Sequence, residues 1–163
     1  MDELDNPALR IDLCLAAFLQ NRAEDDGLAG FRGGAFRGNY AVSTALHVRY
    51  PKVGQGESTS VLHATAMRIA AEVDPQSARQ VAEALGVWRD GMGTVDATRT
   101  IADTVEAIYT RIGVPTRLSQ LDIPEDDLPN IARETTKNFN ANPNARSPDA
   151  QIEAALHLLR HAW

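Results

Sequence analysis

Three helix-start signals limit how this chain can fold. Each is a capping residue followed directly by proline, a pair that satisfies free backbone N–H groups and presets the first turn of an α-helix. They stand at Asn6-Pro7, Asp74-Pro75 and Ser147-Pro148. Gly86 and Gly113 follow helix-forming runs and predict helix ends. A chain with these helix-start and helix-end signals is predicted to be built from α-helices.

The hydrophobic spacing between these signals is also helical. From Val95 to Ile112 apolar residues recur with the period of an α-helix, in a stripe of Ile101, Val105, Ile108 and Ile112. Another helix is predicted from Pro124 to about Lys137. The run from Ala8 to Leu19 is apolar nearly all round, which predicts a buried helix. No segment keeps the alternation typical of a strand. We predict an all-α bundle of six to seven helices, a single helical domain over residues 1–163.

Charge and composition exclude several classes of function. The formal net charge is −6, whereas a nucleic-acid-binding chain normally carries a basic face. No apolar run approaches the length of about 18 residues that a membrane-spanning helix needs. The acidic start MDELDNP is unlike a secretory signal, and the single cysteine, Cys14, permits no internal disulfide. We predict a cytoplasmic protein with no nucleic-acid or membrane partner.

The stretch from Gly38 to Arg68 carries polar residues in a pattern that predicts a pocket. A short helix before Pro51 presents a polar face at positions i, i+3, i+4 and i+7, formed by Tyr40, Ser43, Thr44 and His47. Gln55 follows between two glycines, and the next predicted helix carries Glu57 and His63. Two helix ends would therefore meet around Gln55.

The residue types in this stretch fit acid–base chemistry on a small ligand. The catalytic candidates are two possible general bases, a carboxylate partner and a donor to a carbonyl oxygen, namely His47, His63, Glu57 and Tyr40. Thr44 and Gln55 are candidate substrate-binding residues. His47 and His63 also have a plainer interpretation, as hydrogen-bonded histidines at the edge of a core.

Residues 23–38 are predicted to form a flexible loop rich in glycine, arginine and phenylalanine. Glycine-rich loops and arginine side chains often bind phosphate groups. A phosphate loop, however, requires a preceding strand and a following Lys-Ser/Thr, and this segment has neither. We therefore interpret it as a mobile or close-packed loop. Arg32 and Arg37 are candidate substrate-binding residues, which would meet the carboxylate of a ligand or a partner surface.

His157 and His161 lie four residues apart on the last predicted helix, which is a spacing that metal ligands use. Because no third ligand is identified beside them, we interpret them as surface residues that compensate the helix dipole. No metal site is predicted in the chain.

Several segments together resemble a known family. They are VAEALGV, IGVPTRLSQLDIPEDDLPNIARET and the closing NPNARSPDAQIEAALHLLRHAW, and the earlier PALRIDLCLAAFL and VLHATAMR. They are similar to the C-terminal helical domain of iron-containing alcohol dehydrogenases. Within that family the sequence looks most similar to the maleylacetate reductases, which usually have an acidic residue at the position of Glu57.

The resemblance implies a two-domain architecture. In such proteins an N-terminal α/β domain binds NAD(P), and the helical domain supplies metal or polar groups for hydride transfer to a carbonyl. The present residues resemble only the helical half. Two family metal ligands would fall near Tyr40 or Ala41 and at Gln55, and neither position is histidine. The resemblance therefore implies no metal and no cofactor in this chain, with NAD(P) available through a partner chain.

Three functions compete. The first is a subunit that completes an oxidoreductase with a separately encoded NAD(P)-binding α/β chain. The second is a repurposed, cofactor-free enzyme or binder of a small oxo-acid or phenolic compound. The third is a structural or oligomerisation module, which would act as a homo-oligomer or help a partner to fold.

Overall fold

The computed structural model describes residues 5–25, 40–70, 73–138 and 147–163, with the side chains of 20–25 left out. These residues contain seven α-helices and no strand, which confirms the predicted all-α fold. The helices are α1 (Pro7–Asp25), α2 (Tyr40–Arg49), α3 (Gln55–Ile69), α4 (Pro75–Ala84), α5 (Thr94–Arg111), α6 (Leu128–Thr135) and α7 (Pro148–Ala162). Two short 3-10 helices, Leu118–Leu121 and Glu125–Asp127, precede α6.

The chain divides into two compact units, Met1–Arg32 and Gly33–Trp163. The first contains α1, which begins where Asn6 Oδ1 accepts a hydrogen bond from the N–H of Ala8 at 3.0 Å. The side chains of residues 8–19 are exposed, so the predicted burial of this helix is not found among the residues that the structure describes. The apolar pattern of α1 indicates that the helix has a hydrophobic surface, but the pattern does not identify the surface that would cover it. Within the described ranges no helix is both long and apolar enough to cross a membrane.

The second unit has two hydrophobic clusters, and α3 contributes to both. The first cluster brings α2, α3, α6 and α7 together around large side chains that are almost fully buried, among them Leu46, Leu62, Ile131 and Leu159. The second cluster lies between α3, α4 and α5 and is built largely from small residues, with Met67, Ala78, Ala82, Ile101 and Ala102 at its centre. Small side chains such as alanine allow two helices to approach closely.

The predicted helix ends are largely confirmed. They could be predicted because the signals that set them involve only neighbouring residues. Asp74 accepts a hydrogen bond from the N–H of Ser77 at 2.7 Å, and Ser147 accepts one from the N–H of Ala150 at 3.3 Å. Gly86 and Gly113 adopt positive φ angles of 71° and 73°, the left-handed conformation that favours glycine after a helix.

The predicted helix from Pro124 to Lys137 is interrupted. A 3-10 turn occupies Glu125–Asp127, and α6 starts only at Leu128. Pro129 explains the break, because proline has no N–H to donate to the carbonyl of Glu125 as a continuous α-helix would require. The N–H of Leu128 donates to that carbonyl instead, which closes the tighter turn.

Candidate functional site

The polar face predicted on α2 is present, but its side chains are engaged by their own helix. The hydroxyl of Thr44 donates to the carbonyl of Tyr40 at 3.0 Å, and His47 Nδ1 lies 3.0 Å from the carbonyl of Ser43. Since a carbonyl only accepts, Nδ1 carries the proton and Nε2 of neutral His47 keeps its lone pair. Tyr40 is exposed, whereas Ser43 is turned into the protein and is buried. The face therefore offers one phenol and one imidazole nitrogen to a ligand.

The start of α3 uses one of the predicted catalytic groups to build the helix. Glu57 Oε2 accepts a hydrogen bond from the N–H of Gly54 at 2.8 Å. This is the reach-back half of a capping box, in which a carboxylate in the first turn satisfies an N–H before the helix. Gln55, the first residue of α3, is exposed. Glu57 thus has a structural task beside any role in chemistry.

His63 meets a partner that lies on another helix. Its Nδ1 is 2.9 Å from the hydroxyl of Tyr109 on α5, and both side chains are partly buried. Burial lowers the pKa of His63 below its ordinary value and raises the pKa of Tyr109, because it disfavours the charged form of each group. The pair therefore consists of a neutral imidazole and a neutral phenol near pH 7.

The structure does not join the α2 and α3 candidates by any hydrogen bond between described residues. Arg32 and Arg37, predicted to bind a carboxylate, lie outside the described residues, as does the predicted loop from residue 26 onward; residues 23–25 belong to α1. The pocket proposed from sequence therefore stays a prediction.

Thr44 does line a surface cavity of about 230 Å³ between α2 and the end of α6. The cavity is lined by Thr44, Ala45, Val48, Arg49, Glu134, Lys137 and Asn138. Its two cations are already paired, since Arg49 binds Asp127 and Lys137 Nζ lies 2.8 Å from Glu134 Oε1. A ligand here would have to compete with these ion pairs.

Sequence reasoning missed Asp127, whose carboxylate has more hydrogen-bond partners than any other carboxylate among the described residues. It accepts hydrogen bonds from Arg49 Nη2 at 2.7 Å, from the hydroxyl of Tyr50 at 2.5 Å and from Asn130 Nδ2 at 2.5 Å. Hydrogen bonding to Arg49 holds the pKa of Asp127 well below its usual range. The arrangement ties the end of α2 to the start of α6. Tyr50 and Asp127 are 77 positions apart along the chain, so no local spacing could have revealed it.

The chain's own donor atoms do not fit a catalytic metal at the positions that the family resemblance indicates. The first position falls near Tyr40 or Ala41, of which Tyr40 offers only a phenol and Ala41 no side-chain donor, and the second is Gln55, whose amide is a poor ligand for iron or zinc. Across the part of the chain that the structure describes, no group of three or more His, Cys, Asp or Glu side chains is placed to hold a metal ion.

Comparison with known proteins gives one family. Residues 4–163 match the model described as Fe-containing alcohol dehydrogenase family, C-terminal. The chain is 25% identical over 108 residues to the lactaldehyde reductase of Escherichia coli (strain K12), covering 66% of this chain and 28% of that protein. It is 30% identical over 91 residues to the 1,3-propanediol dehydrogenase of Citrobacter freundii, covering 56% of this chain and 24% of that protein. The chain thus matches about a quarter of the length of these curated relatives.

Proposed function

Because the chain belongs to the iron-containing alcohol dehydrogenase family, we propose that it is the helical half of an oxidoreductase, completed by a separate NAD(P)-binding α/β chain. The family match supports the helical part of this proposal, since it is to the C-terminal domain of the family. Two of the relatives are named lactaldehyde reductase and 1,3-propanediol dehydrogenase. By analogy with these relatives, we expect the complete oxidoreductase to reduce a small carbonyl compound. The hydride would come from a nicotinamide held by the partner.

The proposal includes the loss of the family metal from this half. Iron and zinc sites are built mainly from histidine, cysteine and carboxylate ligands, and neither the position near Tyr40 or Ala41 nor Gln55 supplies one of these. Glu57 supports the finer proposal that the chain resembles the maleylacetate reductases, which usually have an acidic residue at this position. Iron or zinc added to the purified protein is expected to leave the NMR signals of Gln55 and its neighbours unchanged. Shifts centred on Gln55 would contradict the proposed loss.

The first helix supports the proposal of a partner. Along α1 six large apolar side chains are exposed, namely Leu9, Ile11, Leu13, Leu15, Phe18 and Leu19. Apolar surface gains about 25 cal/mol per Å² when it leaves water, so a covering partner would be favoured. Ile11, Leu15, Phe18 and Leu19 fall on one side of the helix at 100° per residue, and an exposed apolar face of this kind is typical of an interaction surface. We propose that the α/β chain covers it.

Co-expression with a nucleotide-binding α/β chain encoded beside this one tests the proposal. The tagged protein is expected to capture that chain and to show NAD(P)H-dependent reduction of aldehydes only as the complex. A double variant of the exposed α1 face, Ile11→Glu with Leu15→Glu, should lose capture. Val95→Glu is the matched control, because Val95 is 71% exposed on α5 and lies outside this patch. Absence of any complex with the wild-type chain would overturn the proposal.

A second candidate function rests on the neutral His63–Tyr109 pair. A half-buried imidazole that is uncharged near pH 7 can accept a proton, and the phenol beside it can donate a hydrogen bond to an oxo-acid or phenolic ligand. We propose this as the site of a cofactor-free activity or of simple binding. NMR titration with such ligands should shift the signals of His63 and Tyr109. Unchanged signals at both residues would eliminate this candidate and leave a structural or oligomerisation role as the alternative to the subunit.

A further inference from the structure

We propose that His157 and His161 form a surface site for a transition-metal ion of the Zn²⁺, Ni²⁺ or Cu²⁺ type, at the end of α7. The two imidazole rings lie on one face of the helix with their centroids 4.3 Å apart and their planes inclined by 50°. The sequence spacing alone favoured two independent surface residues. The ring geometry instead brings the two side chains together, which makes one shared ion accessible to both.

The hydrogen bonding of His161 leaves the correct nitrogen available. Its Nδ1 lies 2.8 Å from the carbonyl oxygen of His157. A carbonyl can only accept, so Nδ1 carries the proton and the lone pair of the neutral ring is on Nε2. Metal-bound histidines usually donate their other ring N–H to a carbonyl or carboxylate in this way, which fixes the tautomer and orients the ring.

His157 is the freer member of the pair. It is exposed, and neither of its ring nitrogens has a hydrogen-bond partner among the described residues. Its ring can therefore turn so that one nitrogen faces Nε2 of His161. Two Zn–N bonds of about 2.0–2.1 Å in tetrahedral geometry need donor atoms only about 3.4 Å apart, a separation that small rotations of rings already in contact can reach.

The surrounding charge favours a cation. The site lies in the last turns of the 15-residue helix α7, where the helix dipole places partial negative charge. Glu153 is exposed one turn before His157, and Arg160 is the opposing cation. The whole chain carries a net charge of −6. Two imidazoles with water in the remaining positions match the preference of borderline metal ions for nitrogen ligands.

This site is separate from the family metal position at Gln55 on α3. A metal held by two histidines on one helix would link successive turns and stabilise the end of α7. It requires neither a nucleotide nor a partner chain. The test of metal binding at α7 is therefore independent of the test of the proposed oxidoreductase function.

Tryptophan fluorescence tests the site directly. Trp163 follows His161 by two residues, and Trp88→Phe leaves Trp163 as the only tryptophan in the chain. In this background, Cu²⁺ is expected to quench the fluorescence with saturation at one ion per chain, and Zn²⁺ should compete. Changing either His157 or His161 to alanine should weaken binding by at least about tenfold, since even loss of an outer-shell partner costs 10–100-fold.

Two matched variants separate this site from other soft donors. His47→Ala removes a histidine of α2, and Cys14→Ser removes the single thiol. Both are expected to bind Cu²⁺ as tightly as the parent. Unchanged binding in the His157→Ala, His161→Ala double variant would overturn the proposal, as would loss of binding in Cys14→Ser alone. Circular dichroism of each variant shows whether the overall helical content is retained.

Discussion

His63, one of the predicted catalytic candidates, has a hydrogen-bond partner that the sequence did not indicate. The candidate site placed it opposite α2, whereas the structure pairs it with Tyr109 of α5. Tyr109 was overlooked because the apolar stripe assigned to α5 passed through Ile108, which is 42% exposed. The face that is turned inward instead runs from Ile101 through Val105 to Tyr109, at intervals of four. A tyrosine in register with that face was the available signal.

Tyr109→Phe should lower the free energy of unfolding by about 1 kcal/mol, the typical contribution of one partly buried hydrogen bond. The phenyl ring keeps the packing and only the bond to His63 is lost. Urea denaturation measures the change. Tyr40→Phe is the control, since Tyr40 is exposed and its hydroxyl has no partner among the described residues. Equal effects of the two substitutions would show that the His63–Tyr109 bond contributes nothing.

Asp127→Asn should remove part of the acid sensitivity of the fold. The pKa of Asp127 is lowered by its bond to Arg49, so at acidic pH the unfolded chain binds a proton that the folded chain does not. This contribution is complete above the ordinary carboxyl pKa of about 3.9 and is lost as the pH falls toward the lowered value. Urea unfolding between about pH 6 and pH 3 measures the first part of this loss.

Asp126→Asn is the matched control for this experiment, because Asp126 is the exposed neighbour of Asp127. Its stability should follow that of the wild type at every pH. The Asp127→Asn protein should start less stable and lose less on acidification. Parallel curves for all three proteins would show that the network around Asp127 does not stabilise the fold.

At the scale of elements, α3 holds the second unit together. Leu62 is fully buried in the first cluster, and Met67 lies in the second. Polar side chains add further ties between α3 and later parts of the chain. Arg68 Nη2 lies 2.7 Å from Asp103, and the hydroxyl of Ser60 donates to the carbonyl of Pro115 at 2.7 Å. Damage to α3 should therefore affect both clusters.

Leu62→Ala is expected to cost about 2–5 kcal/mol of unfolding free energy, because a fully buried leucine leaves a cavity when it is truncated. Val48→Ala is the control on α2, where the valine is 69% exposed. That substitution should change stability by less than about 0.5 kcal/mol. Chemical denaturation with both variants decides the matter, and a small effect of Leu62→Ala would contradict the assigned core.

The elements that could be predicted from sequence are those whose signals are local. The caps at Asp74 and Ser147 and the glycine stops are set by a few neighbouring atoms, so reading them required no tertiary information. The break before α6 was missed because Pro129 was not weighed against the helix-favouring residues around it. The exposure of α1 was missed because a hydrophobic pattern predicts burial without naming the surface that provides it.

At the scale of the molecule, the family could be predicted from the sequence, whereas the side-chain pairs that cross between helices could not. Motifs such as IGVPTRL are contiguous, and the family they indicated is confirmed by the match over residues 4–163. A site depends on side chains that meet across helices. His63 and Tyr109 are 46 positions apart, and Arg49 and Asp127 are 78 apart. Such pairs depend on the packing of α3 on α5 and of α2 on α6. This packing cannot be inferred from the spacing of residues in a single sequence.

Removal of residues 1–32 should leave the second unit folded, because every residue of the two clusters lies in Gly33–Trp163. The midpoint of thermal unfolding should move by no more than about 4 °C, equivalent to roughly 1 kcal/mol in a domain of this size. Capture of the proposed α/β chain should be lost at the same time. Loss of cooperative unfolding in the truncated protein would contradict the division into units.

The position of α3 between two clusters also has a kinetic consequence. The second cluster joins α3 to α4 and α5, its immediate successors in the chain, so little loop-closure entropy is lost in forming it. The first cluster is complete only when α7 packs against α3, from which α4, α5 and α6 separate it along the chain. Contacts between near neighbours form fastest, so we expect the alanine-rich α3–α5 subdomain to assemble first and to act as the template on which the two ends of the unit then close.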